Sequence, residues 1–297
     1  MSDIIVYPGN GIYSNSFVNK KDKWVIDPSG ALNGASLEGY TYFETHVHPD
    51  HFSVSNVKGP LYVAQIGKEY LLDPVSHADV MFRTKEVDYP GFFGSKFLLN
   101  GYKLGSGLEH CVNKRKYDNL DIKILNDNDV NCSLTAMIVG GHTPDSTVFS
   151  FVEDKKLKGF GGDIVYRDRK SGSFKSRDAS YEGVIKSCEY LKNKDFEIMF
   201  LGHGSEVVGD NNINCMLINV INYEIDIGQA MLKMGLNGTD LRAIKKELGF
   251  EGRSDGGYGR PYAFSQFALE KDLMEIKNNK LFTINLSSDA VLNALKL

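Results

Sequence analysis

Disulfide bonding has little to work with in this chain of 297 residues. Its four cysteines, Cys111, Cys132, Cys188 and Cys215, show no paired spacing. That excludes a disulfide frame and points to free thiols in a reducing compartment. Long hydrophobic runs are also missing: no stretch approaches the about 18 apolar residues that would span a membrane. The first residues, Met1-Ser2-Asp3, carry neither a basic region nor a long apolar one, so no secretory leader is expected. Charge of one sign is never concentrated. The net charge is only −4 and no block of like charge occurs, so there is no electrostatic argument for nucleic acid or an anionic membrane as partner. These absences leave a soluble, cytoplasmic globular protein as the expectation. Its hydrophobic content of 42% suffices for one large core or a core with an appendage.

What is there is concentrated in Thr45-His46-Val47-His48-Pro49-Asp50-His51. Residues 40–44 before it read as a strand, so this cluster sits on the loop leaving a sheet edge. Side chains alternate along an extended segment, which points His46 and His48 the same way. Pro49 breaks the strand and lets Asp50 and His51 face a neighbouring point. A single His-Xaa-His would be weak evidence, whereas three imidazoles and a carboxylate at these positions favour a borderline divalent ion such as zinc. The geometry suggests two adjacent ions.

Three further candidates lie downstream. His142 follows the apolar run of residues 134–139, Asp163 follows a second strand-like run, and His203 follows residues 198–201. Each comes after a strand and is flanked by glycine, which permits close backbone approach and positive φ. His77 and His110 lack that setting and read as ordinary loop or surface residues.

The order His46, His48, Asp50, His51, His142, Asp163, His203 resembles the metallo-β-lactamase superfamily, and within it the glyoxalase II-like branch. The resemblance covers roughly the first two thirds of the chain. It extends to Asn15-Ser16-Phe17-Val18 and Trp24-Val25-Ile26-Asp27, which look like the first two strands of that fold, the second ending in its usual aspartate. It implies an α/β fold, an αββα sandwich with the site at one edge. It also implies two metal ions, zinc first, with iron or manganese accepted by the same ligands. His46, His48 and His142 would bind one, Asp50, His51 and His203 the other, and Asp163 would bridge them. A hydroxide between the ions would attack an acyl carbonyl, with Asp50 orienting it and passing its proton to the leaving group. Asp145 departs from the pattern, standing where many relatives have glycine. Bonding within its own turn is the plainer expectation, an altered setting of the ligands the other. Tyr166, three residues after Asp163, resembles the substrate-binding tyrosine of acyl-homoserine lactonases; packing on a half-buried strand is the alternative.

The chain divides into a catalytic region, residues 1–206, and a C-terminal helical region, residues 207–297. An aromatic, glycine-rich insertion at about residues 81–118 reads as a pocket wall or as cover for a flank of the core. Residues 181–191 have helical spacing, with Val184, Ile185, Cys188 and Leu191 on one face. The tail predicts helices over residues 213–234, 241–248 and 264–276, a linker over 252–259, and a strand over 280–284. That order resembles the winged-helix-like tail of some superfamily members. Arg242, Lys245, Lys246, Arg253 and Arg260 could contact a glutathione-like group, although solvated helix charges are the plainer reading. An apolar tail could pack on its own core or on a second copy as a homodimer.

The expected activity is therefore hydrolysis of a small-molecule thioester, with a lactone or other carboxylic ester next. A single-strand endoribonuclease would need grouped Lys and Arg. A persulfide dioxygenase would use the same ligands around one iron. His48 argues against flavin-diiron enzymes, which usually have glutamate there.

Overall fold

In the computed structural model, the described residues are 3–9, 13–33, 35–48, 50–73, 119–165, 179–249, 259–278, 280–284, 287 and 289–295. The aromatic insertion at 81–118, Tyr166, His77, His110 and the 252–258 part of the linker lie outside them.

Two six-stranded sheets form the centre. The first runs in the order β1 (Ile4–Tyr7), β2 (Ser16–Asn19), β3 (Trp24–Ile26), β4 (Thr41–Phe43), β5 (Leu61–Ala64) and β6 (Ile122–Leu125). Pairing is antiparallel up to β3 and parallel from β3 onward. A helix, α1 (Gln65–Leu72), follows β5. The second sheet contains β7 (Val130–Asn131), β8 (Leu134–Ile138), β9 (Thr147–Glu153), β10 (Lys156–Phe160), β11 (Phe196–Phe200) and β12 (Val207–Val208). Here only β10 and β11 are parallel, joined through α2 (Tyr181–Lys192).

Alternation along the strands sorts the core into layers. Phe17, Trp24, Ile26 and Phe43 of the first sheet face Phe149, Phe151, Phe160 and Phe200 of the second. Phe160 is the hub, with ring centroids 5.0 Å from both Phe17 and Phe200 and 5.5 Å from Trp24. Such pairs add about 0.5–1.5 kcal/mol each beyond the burial of their area. The alternate residues Val18, Val25, Tyr42, Leu61 and Val63 pack outward with Leu71 of α1. On the other side, Met137, Val148 and Met199 pack against α2 and the C-terminal helices. The result is the αββα sandwich expected from the sequence.

The tail begins with α3 (Asp210–Gly235), then α4 (Leu241–Glu247) and α5 (Gly259–Glu270). Asp240 caps α4 through a bond from Ala243 N to its carboxylate at 2.8 Å. The third helix ends earlier than residue 276. The amide of Leu273 bonds to Ala268 O and that of Asp272 to Leu269 O, and Asp272 has φ 52°. This is a Schellman stop with aspartate rather than glycine in the left-handed position, which hid it in the sequence. β13 (Met274–Lys277) then pairs with β14 (Lys280–Thr283), and α6 (Ala290–Leu295) follows. Met274 to Ile276 are therefore strand, not helix. One apolar cluster runs from the second sheet through α2 to α6. Among the described residues no helix is long and apolar enough to cross a membrane, and Cys132, Cys188 and Cys215 form no disulfide.

Candidate metal centre

The candidate site lies at one edge of the sandwich, where β4, β8, β10 and β11 end. His46, His48, Asp50 and His51 follow β4, His142 follows β8, Asp163 follows β10 and His203 follows β11. All seven sequence candidates meet there. They form two groups whose ligand atoms lie within 4.8 Å of one another and could each hold a metal ion: His46, His48 and His142, and Asp50, His51, Asp163 and His203. The Asp163 carboxylate spans the two. Its Oδ2 is 3.7 Å from His142 Nε2, while its Oδ1 is 3.1 Å from His51 Nε2 and 3.7 Å from His203 Nε2. The first group is buried, whereas Asp50 and His203 keep 25% and 19% of their side chains exposed.

Asp27, fully buried at the end of β3, organises both groups. Its Oδ1 accepts from Thr45 N at 2.8 Å, and its Oδ2 accepts from Thr45 Oγ1 at 2.9 Å and from His51 Nδ1 at 2.8 Å. Because the Thr45 hydroxyl proton goes to Asp27, Thr45 Oγ1 is left to accept from His46 Nδ1, 3.2 Å away. Both imidazoles thereby turn Nε2 toward the centre, as a bare lone pair in His46 and facing the Asp163 carboxylate in His51. His46 Nε2 is buried and without a hydrogen-bond partner among the described residues. A buried lone pair of this kind, in an imidazole and carboxylate donor set, suits a divalent ion.

The electrostatics follow from burial and mutual contact. Burial, then the neighbouring His51, His48 and His142, push His46 well below its ordinary pKa, keeping it in the neutral form a metal requires. Burial would lower His51 too, but the charges of Asp163 and Asp27 outweigh it and raise it. Burial would raise Asp163, and the charges of His51 and His203 lower it instead. Asp50 is likewise held below its ordinary value against burial, by its hydrogen bond from His203 and the charge of His51. Glu44, one residue past β4, is buried with both carboxylate oxygens unbonded among the described residues; burial and then the charge of Asp27 push it well up.

Backbone contacts fix the loops. Ser14 N bonds to Asp50 O at 2.8 Å and Asn15 N to Gly202 O at 2.7 Å. Asn15 Nδ2 also donates to Leu201 O and Gly204 O. One short segment thus ties the Asp50 and His203 loops together. Only glycine fits at 202, where a Cβ would lie 2.6 Å from His51 Cε1 and 2.7 Å from Asp163 Oδ1. The His142 loop is clamped by α2. Ser180 N donates to Gly141 O, Ser187 Oγ donates to Val139 O, and a Cβ at Gly183 would lie 2.9 Å from Gly141 Cα. Gly183→Ala, which an exposed helix would welcome, should here destabilise the protein by about 1–3 kcal/mol through overpacking. Thermal denaturation checks it, and unchanged stability would show that the contact is slack.

Sequence reasoning picked out the seven candidate residues that the fold brings together and missed much of their support. Asp27 was legible only as a strand-end residue. The Asp145 carboxylate reaches out of its own turn to Val47 N, at 2.9 Å across 98 positions, where a local bond was the plainer expectation. Glu44 gave no signal beyond an acidic residue ending an apolar strand. Of the five basic tail residues, Lys246 is exposed; the side chains of the others lie outside the described residues.

The chain matches no protein-family model and no curated protein. Its fold does match solved structures. A metallo-β-lactamase family protein from Thermus thermophilus superposes with a TM-score of 0.68 over 95% of this chain and 99% of that one, at 12% identity. A β-lactamase domain protein from Burkholderia ambifaria gives a TM-score of 0.61 over 91% and 87%, at 14% identity. An archaeal metallo-β-lactamase superfamily protein from Sulfolobus tokodaii gives 0.50 over 76% and 87%, at 14% identity. The chain has the metallo-β-lactamase fold, and the near-complete overlap with the first of these includes most of the C-terminal helices.

Proposed function

We propose that this chain is a metal-dependent hydrolase with a two-ion centre, acting on the acyl carbonyl of a small molecule, a thioester ahead of a lactone. The observation that carries the proposal is the Asp163 carboxylate, with one oxygen toward His142 and the other toward His51 and His203. His46, His48 and His142 would hold one ion, Asp50, His51 and His203 the other, and Asp163 both. A pair of divalent ions, zinc first, supplies Lewis acidity, which lowers the pKa of water and polarises a carbonyl. Asp50 is placed for proton transfer: it is partly exposed and bonded to His203, and it would accept a proton from the attacking water and return it to the leaving group. In this reading residues 1–206 carry the chemistry, and the described helices of residues 207–297 share the apolar cluster behind the second sheet, whose edge strand β12 also lies in that stretch.

Two experiments test the proposal. Protein loaded with saturating zinc should hold two ions per chain; substantially fewer would sink the two-ion centre. A panel of lactoylglutathione, acyl-CoA, acyl-homoserine lactone and single-stranded RNA should show turnover on a thioester, and cleavage of RNA alone would replace this reading with a nuclease. The lactonase reading draws on Tyr166, three residues past Asp163. Tyr166→Phe should lower turnover on a lactone by about 10²-fold if the phenol assists the oxyanion, and an unchanged rate would make it a packing residue.

A further inference from the structure

We infer that Asp145 is a positioning residue for the His46–His48–His142 group alone, setting the spacing between the two sheets from which that group is built. The inference rests on the two-ion reading. His46 and His48 leave the first sheet at the end of β4, and His142 leaves the second between β8 and β9, so their separation is an inter-sheet distance. Two bonds close that gap beside them. Thr147 N, at the start of β9, donates to Thr45 O at 2.7 Å, and Val47 N donates to Asp145 Oδ2 at 2.9 Å. Val47 lies between the two histidines, so an anchor on its amide fixes the register in which both side chains project. Thr147 Oγ1 in turn donates to Asp145 O at 3.0 Å, holding the aspartate in place. Asp145 and Val47 are both buried, and Gly67 of α1 closes over them: a Cβ there would lie 3.0 Å from Asp145 Oδ2 and 3.4 Å from a Val47 methyl.

The second group does not use the Asp145 carboxylate, and the Asp27 anchor is common to both groups. Asp27 holds His51, and Ser14 and Asn15 hold the Asp50 and His203 loops. Loss of the Asp145 carboxylate should therefore weaken one group and spare the other, which a general loss of stability would not do.

Two backgrounds isolate the groups in the full chain. Asp50→Ala combined with His203→Ala leaves the first group complete and only His51 and the shared Asp163 of the second, and His142→Ala leaves the second group complete and two histidines of the first. Zinc affinity is read by competition with a chromophoric chelator. Adding Asp145→Ala should weaken zinc binding by about 10–100-fold in the first background and by less than about threefold in the second. Asp145→Asn keeps an oxygen that can accept from Val47 N and should stay near the parent value. Equal losses in both backgrounds, no loss in the first background, or an asparagine variant no better than alanine would each overturn the inference. If Asp145→Ala fails to fold by circular dichroism, Asp145→Ser replaces it, with a hydroxyl too short to reach the amide. Wild-type protein holding fewer than two zinc ions would instead defeat the two-ion reading, and this inference with it.

Discussion

Asp163→Asn should lower turnover by on the order of 10³-fold, because in the proposed two-ion centre this carboxylate would be shared by two cations and contribute several kcal/mol of charge stabilisation. The substitution is nearly isosteric, so packing is preserved while the charge that faces His51, His203 and His142 is removed. Both ions should weaken together. His142→Ala should cause a comparable loss by another route, removing a ligand from the first group and leaving Asp50, His51, Asp163 and His203 in place. Metal content distinguishes the two: one tightly held ion should survive in His142→Ala, and neither should be tightly held in Asp163→Asn. Full activity in either variant contradicts the ligand assignment.

The second large effect is on stability. Asp27→Ala removes the common acceptor for Thr45 N, Thr45 Oγ1 and His51 Nδ1 in a fully buried setting. Deleting one side of such a network leaves buried donors and a buried imidazole uncompensated, at a cost of about 3–5 kcal/mol. Asp27 also has φ 50°, a backbone conformation that aspartate tolerates better than alanine. The melting temperature of metal-free protein should fall by roughly 5–15 °C. A fall of less than about 2 °C would show that Asp27 does not organise the site.

The seven candidate ligands were legible in sequence because most of their geometry is local. A strand end, a proline and alternating side chains place four of them within one loop, and glycine flanks mark the other three. The layers were legible for the same reason: Phe17 and Val18, or Trp24 and Val25, alternate between the inter-sheet core and the outer layer. What escaped depends on docking one sheet against the other. No local pattern tells that Asp145 meets Val47, or that Asp27 receives His51. The end of α5 escaped for a different reason, since Asp272 occupies a position where a glycine would have announced the stop.

The first histidine group draws on both sheets, and this bears on how the protein is made. Neither sheet alone contains a complete set of donors, and His203 emerges late in synthesis, after both aromatic faces of the inter-sheet core. An ion of high affinity can be captured only once those faces have met. Metal uptake should thus report the closing step of folding rather than nucleate it, and a chain truncated before β11 should not take up an ion at the second group.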